Sequence, residues 1–317
     1  MTGLDHVVVL AGGLSPEREV SLRSGRRVRD ALGEAGVDAS IADADAALIP
    51  ALLADPPDAV FPVIHGSSGE DGAIREILGL VGVPYVGSAA AACRVAFDKP
   101  AAKSLVAAAG VATPESVALP RETFHDLGAN AVIERVLARL GLPLFVKPAR
   151  GGSALGASPV RTEAELPTAI VSCFAYGETA LIERFVSGTE VTVGVVDLGD
   201  GPRPLPAVEI VPGAGRYDYA ARYTAGQTEF YTPARLDGAA LDAVAKAAAC
   251  AHGALGLRDM SRTDLIVTEC GEVYFLEVNV SPGMTETSTL PMALEAAGHE
   301  FGAACHALCE LAAARGS

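Results

Sequence analysis

The sequence predicts an α/β protein made of two or three small lobes packed together. Strand, glycine turn and helix alternate through residues 1–92, an order that implies a parallel sheet covered on both faces. The apolar periodicity changes after Phe97, where longer helices and a strand hairpin take over. A chain of 317 residues is also too long for one minimal core and short for three full ones.

Residues 6–10 read as a buried strand, followed by the turn Ala11-Gly12-Gly13 and a helix with Val20, Val28 and Leu32 on one face. A second strand over 59–64 ends at His65-Gly66. The helix after Glu70-Asp71-Gly72 carries Ile74, Ile77, Leu78 and Val81 at helical spacing, and 83–86 makes a third short strand. In such a sheet, ligands are expected at the carboxyl ends of the strands. The second lobe, 93–187, begins with a helix over 99–109 and includes a strand over 144–147 that runs into the loop 148–156. Two strand segments flank Ser187-Gly188. The third lobe, 188–317, holds strands at 205–211, an alanine-rich helix over 237–256, a hairpin over 262–279 and a terminal helix from about residue 290.

A net charge of -15 excludes a nucleic-acid backbone or an anionic membrane as the main partner. No apolar run approaches the roughly 18 residues that cross a bilayer, so a soluble, cytoplasmic protein is expected. Cys93, Cys173, Cys250, Cys270, Cys305 and Cys309 form no CxxC pair and read as reduced thiols; Cys305, His306 and Cys309 lack a completing partner for a metal. Of 24 basic residues only Lys99, Lys103, Lys147 and Lys246 are lysines, so each is a candidate for a specific task.

In the hairpin, a two-residue turn at Cys270-Gly271 would set Asp264 opposite Glu277 and Arg262 opposite Asn279, all on one face. Directly opposed carboxylates repel unless a positive charge lies between them. Magnesium, a hard cation with oxygen ligands, suits that position, since no lysine stands among the acids. The loop Lys147-Pro148-Ala149-Arg150-Gly151-Gly152-Ser153-Ala154-Leu155-Gly156 follows a strand, and its glycines let backbone N–H groups approach phosphate oxygens. It lacks the Gly-Lys-Ser/Thr of a Walker A loop.

These pieces, in this order, resemble the D-alanine:D-alanine ligase family of ATP-grasp carboxylate-amine ligases. The match runs through the segment from Gly12 to Leu22, His65-Gly66 with Gly69-Glu70-Asp71-Gly72, Asp98-Lys99, the loop from Lys147, and Glu183 with Ser187-Gly188-Thr189-Glu190. It continues through Tyr217-Asp218-Tyr219 with Tyr223 and the run from Glu277 to Thr285. The resemblance implies three lobes with nucleotide held between the central and C-terminal ones. It implies that ATP phosphorylates the carboxylate of one D-alanine and that the amine of a second displaces phosphate, supplying a peptidoglycan precursor. Lys99, Lys147 and Arg222 would meet the phosphates, while Glu183, Val186 and Glu190 would hold adenine and ribose. Asp264, Glu277 and Asn279 would bind two magnesium ions, with manganese able to substitute. Glu17, with His65 and Val20 nearby, would take the first substrate's ammonium. Arg262 and the Gly283 N–H would form the oxyanion hole, and Ser288 with Thr289 would hold the second substrate. Tyr223, Ser153 and Glu17 would close a loop over roughly 213–228. A homodimer is the family expectation.

Three positions depart from the family pattern: Arg222 where lysine is common, Ala154 where serine is common, and Thr289 in place of an aliphatic residue. They leave open a specialised ligase with another second amino acid, such as D-serine. A non-catalytic nucleotide-binding regulator would need a broken set of acids and lysines, which this chain keeps. A Rossmann dehydrogenase would need the full GxGxxG, which Gly12-Gly13 does not supply.

Overall fold

The structure, a computed structural model, describes residues 4–213 and 226–316. Three sheets organise it. The first is parallel, β1 (His6–Ala11), β2 (Asp38–Asp43) and β3 (Ala59–Pro62) in the order β2-β1-β3. Helix α1 (Arg18–Glu34) lies close on it, because a Cβ on Gly25 would come within 2.6 Å of the Ala11 Cβ. Strand β2 was not expected. It is a sheet edge with no fully buried residue, so it carries little apolar periodicity. Residues 83–86 make only one bridge, Val60 to Tyr85, instead of a strand. Pro84 has no N–H to extend the ladder, and Gly87, at φ 105°, turns the chain away.

Helices α2 (Leu48–Ala54), α3 (Ser67–Glu70), α4 (Ala73–Val81), α5 (Ala90–Phe97) and α6 (Lys99–Ala108) follow. Asp98 caps α6 by accepting from the Ala101 N–H at 3.1 Å, with Pro100 in the first turn, and this sets Lys99 at the helix start. The second sheet comprises β4 (Ser116–Pro120), β5 (Leu144–Pro148), β6 (Ser158–Val160) and β7 (Thr179–Arg184) in the order β4-β7-β5-β6. Helices α7 (Arg121–Leu127), α8 (Ala129–Leu140) and α9 (Leu166–Phe174) supply its core partners Phe124, Val136 and Ile170.

The third sheet holds β8 (Thr189–Val196), β9 (Arg203–Pro204), β10 (Val208–Pro212), β11 (Thr228–Tyr231), β12 (Met260–Val267) and β13 (Val273–Asn279). Helix α10 (Gly238–Ala254) packs on it, and Cys93, Ala96, Ala102 and Val106 of α5 and α6 join the same core. Two helices, α11 (Thr289–Ala296) and α12 (Phe301–Arg315), stand where one was expected, separated at Gly298 with φ 81°. Leu308, Cys309 and Ala312 of α12 share a core with Val9, Val28 and Phe61, so the chain's end covers its first sheet.

The hairpin register is Arg262 opposite Asn279 and Asp264 opposite Glu277, as expected, but the turn is not the expected two-residue one. The Gly271 N–H donates to the Thr268 carbonyl and the Thr268 N–H to that of Glu272, leaving a three-residue loop with Gly271 at φ 84°. That shifts the pairing by one residue, Leu265 facing Phe275, until a bulge at Leu276 shifts it back.

Candidate active site

The carboxyl ends of β1 and β3 deliver two acids and a histidine to one cleft. Glu17, at the start of α1, is only 3% exposed, and the Ser153 hydroxyl donates to its Oε1 at 2.9 Å. A Cβ on Gly66 would sit 2.6 Å from the other carboxylate oxygen, so only glycine fits there, and its φ is 75°. His65 is bonded at both nitrogens: Nδ1 at 3.0 Å from the Ser281 carbonyl and Nε2 at 3.0 Å from the Ser24 hydroxyl. A carbonyl can only accept, so Nδ1 carries the proton and the Ser24 hydroxyl donates to Nε2. Burial pushes the His65 pKa down to about 4, which keeps this neutral tautomer. Glu70 accepts from the Gly66 N–H at 2.9 Å, and burial pushes its pKa up to about 7.

Lys147 ends β5 at the glycine loop. Ser153 and Ala154 within that loop have φ 55° and 56°, left-handed conformations that cost a non-glycine residue about 1–2 kcal/mol each. The Lys99 ammonium donates to the Gly151 carbonyl at 2.6 Å and lies 3.4 Å from Glu277. Glu183 is held from both sides, with Lys147 2.8 Å from Oε2 and Lys103 hydrogen-bonded to Oε1. Burial lowers the Lys103 pKa against the pull of Glu183; Lys147 is also desolvated, but Glu183, Glu277 and Asp264 together raise it.

On the hairpin face Arg262 stands among the acids as the register implied, and a lysine, which neither strand supplies, reaches them from α6. Arg262 forks onto Asp264 with contacts of 2.8 and 3.0 Å, and Lys99 reaches Glu277 from α6. The Thr192 hydroxyl donates to Asp264 at 2.9 Å, and the Asn279 side-chain oxygen accepts from the Ser281 N–H at 2.7 Å. Among the described residues no group of three or more histidines, cysteines or acids is gathered as a metal site; the oxygen donors are two carboxylates and one amide. Past β13, a Cβ on Gly283 would meet the Ser288 Oγ at 2.6 Å. That oxygen accepts from the Thr285 N–H at 3.0 Å, so Ser288 ties the loop before α11 and does not cap the helix with its side chain.

Two cavities result. Glu17, Val20, His65, Lys99, Ser153, Arg262, Glu277, Asn279, Gly283, Ser288 and Thr289 line the first. Lys99, Lys147, Glu183, Val186, Glu190, Asp264 and Glu277 line the second, larger one of about 390 Å³, with Phe145, Ile266 and Leu276 as apolar wall. They meet at Lys99, Gly151, Gly152 and Glu277. Every described residue to which the resemblance gave a role lines one or both, whereas the candidate lysines Lys103, which is buried, and Lys246, which is exposed on α10, line neither. Arg222 and Tyr223, with Tyr217, Asp218 and Tyr219, lie outside the described residues. Arg23, Thr285 and Thr287 in the first cavity and Lys103 behind the second were given no role. Lys103 had a signal, being one of only four lysines.

A cavity walled by apolar residues and lysines between two antiparallel sheets, opening onto a second cavity beside a parallel sheet, defines an ATP-grasp protein. The profiles of the D-ala D-ala ligase N-terminus and C-terminus match residues 51–88 and 105–310. The chain is 39% identical over 308 residues to the D-alanine–D-alanine ligase of Anaeromyxobacter sp. (strain K), covering 97% of each, and 40% identical over 296 residues to that of Syntrophotalea carbinolica, covering 93% and 92%. It therefore belongs to the D-alanine–D-alanine ligase family. Among solved structures, the VanG D-Ala:D-Ser ligase of Enterococcus faecalis superposes with a TM-score of 0.83 at 30% identity, covering 97% of this chain and 99% of that one. The Bacillus anthracis D-alanine–D-alanine ligase complexed with ATP superposes with a TM-score of 0.82 at 27% identity, covering 99% and 98%.

Proposed function

We propose that the protein joins two D-alanines into D-alanyl-D-alanine with ATP, forming a carbon–nitrogen bond through an acyl phosphate for peptidoglycan synthesis. The observation that carries this reading is the junction of the two cavities at Lys99, Gly151, Gly152 and Glu277, where a γ-phosphoryl group in one would face a carboxylate in the other. A carboxylate oxygen of the first D-alanine takes the phosphoryl group and ADP leaves. The amine of the second attacks the acyl carbon, loses a proton, and the tetrahedral intermediate expels phosphate. In this reading Glu17 binds the first ammonium, with Val20 and His65 beside it. His65 acts as a neutral hydrogen-bonding group, since both its nitrogens are engaged. Arg262 and the Gly283 N–H stabilise the oxyanion, and Ser288 with Thr289 receives the second carboxylate. Lys99 and Lys147 meet the phosphates, Glu183 and Val186 the adenine, Glu190 the ribose, and Arg222, Tyr223 and Ser153 close the site.

Asp264, Glu277 and Asn279 fit magnesium by their donor chemistry, all oxygens on one face of paired strands. Bound there, the metal would neutralise charge on the transferring phosphoryl group. Arg262, which forks onto Asp264, would then turn toward the oxyanion. The reading also carries a cytoplasmic homodimer, which sedimentation and cell fractionation test; no helix among the described residues is long and apolar enough to cross a membrane.

Turnover with D-alanine alone is expected to release ADP and phosphate in step with a dipeptide identified by mass. A second reading, D-serine as the second substrate, draws on the polar lining Thr285, Thr287 and Thr289 with Arg23 and on the likeness to a D-Ala:D-Ser ligase. With both amino acids supplied, a mixed dipeptide as the main product would establish it. ATP hydrolysis without any ligated product would sink both.

A further inference from the structure

We propose that Lys103 is a positioning residue of the nucleotide site: it holds Glu183 as an ionised acceptor for the adenine amino group and keeps it there when Lys147 is drawn to the phosphates. The inference rests on the ATP-dependent reading above and goes beyond it by assigning Lys103 and an exchange of partners. Glu183 carries one negative charge and two lysines, one on each oxygen. The two lysines differ in reach. Lys147 lines the nucleotide cavity beside Glu183, whereas Lys103 is 4% exposed, lines neither cavity, and is anchored by a second bond to the Pro114 carbonyl at 2.9 Å. Pro114 lies just before β4, whose Ser116 pairs with Glu183 of β7, so Lys103 pins the carboxylate against its own sheet.

A nucleotide phosphate competes with Glu183 for Lys147 and cannot reach Lys103. When Lys147 leaves, Oε2 gains a free lone pair facing the cavity, and Lys103 keeps the charge on the carboxylate paired. An exocyclic amine donates to that oxygen; the carbonyl of hypoxanthine would set acceptor against acceptor. Base discrimination therefore requires phosphate on the ligand.

Two measurements test this. In the unaltered protein, ADP should bind about tenfold or more tighter than inosine diphosphate, while adenosine and inosine bind nearly alike. Equal discrimination in nucleosides and diphosphates overturns the exchange. In Lys103→Gln, the KM for ATP should rise about tenfold with kcat far less affected, and the preference for ATP over inosine triphosphate should shrink. Adding Lys103→Gln to Glu183→Gln should then cost nothing further. An intact base preference in Lys103→Gln, or additive effects in the double variant, overturns the role of Lys103. Loss of all ATP-dependent ligation in the unaltered protein would instead remove the underlying function.

Discussion

His65 and Glu70 are both buried near the turn after β3, and burial moves them in opposite directions on the pH axis. His65 titrates near 6.5 unfolded and about 4 folded. As pH falls through that window the unfolded chain takes a proton that the folded one refuses, and stability drops. Glu70 titrates near 4.5 unfolded and about 7 folded. As pH rises through its window the folded chain keeps a proton that the unfolded one releases, and stability also drops. Each effect is bounded at about 3 kcal/mol, and between pH 4.5 and 6.5 they offset. Glu70→Gln should uncover the histidine, its urea midpoint climbing between pH 4.5 and 6.5; His65→Gln should show the opposite slope. Identical slopes in both variants and the parent would refute the pairing. None of this was legible in the sequence. The motif around Glu70 was visible, but burial is a property of the packed fold and no local pattern announces it.

Among elements, the hairpin of β12 and β13 carries the acids, and its register depends on two irregularities that compensate. Reading Cys270-Gly271 as a two-residue turn reached the correct pairing at Asp264 and Glu277, because the bulge at Leu276 cancels the extra residue in the loop. The local turn chemistry was misjudged while the pairing of the acids was read correctly, since Gly271 suits either kind of turn and nothing in Leu276 itself signals a bulge. Deleting Leu276 would make Glu277 follow Phe275 directly, so Leu265 should still face Phe275 and Asp264 still face Glu277, with the bulge gone and the acids on the same face. Ligation should stay within about tenfold of the parent's. A loss of about 100-fold or more would show that the local twist at the bulge, and not the pairing alone, sets the acids' geometry. The glycine loop gives the complementary case: its place after β5 was visible in composition, but the left-handed backbone at Ser153 and Ala154 was not, because neither residue type requires it.

At the scale of the whole molecule, the segments that build the first cavity are tied together by polar links between distant parts of the chain. Arg75, 1% exposed, donates to the carbonyls of Gly69 and Val280; Arg27 donates to those of Met284 and Thr285 at 3.0 and 2.7 Å; and the Ser281 hydroxyl donates to the Ile64 carbonyl at 2.9 Å. Arg315, at the end of α12, completes the set. It forks onto Asp259 at 2.8 Å and reaches the Tyr85 carbonyl at 3.0 Å, while Asp259 also accepts from the Gly87 N–H at 2.7 Å. Asp259 is 3% exposed and sits at φ 63°, an unfavourable conformation that its partners hold in place. Removing Arg315 leaves a buried carboxylate without its cation. Such a loss costs about 3–5 kcal/mol in a fully buried pair, and roughly 2 kcal/mol is expected here because Arg315 is itself 30% exposed. The effect should spread in a particular way. Helix α12 shares one core with β1, β3 and α1, so Arg315→Ala should speed amide exchange in β1, β3 and α12 together, leaving the second sheet as protected as before. Faster exchange confined to α12 would mean that the helix is an appendage; faster exchange in all three sheets would mean that the chain opens as a single unit.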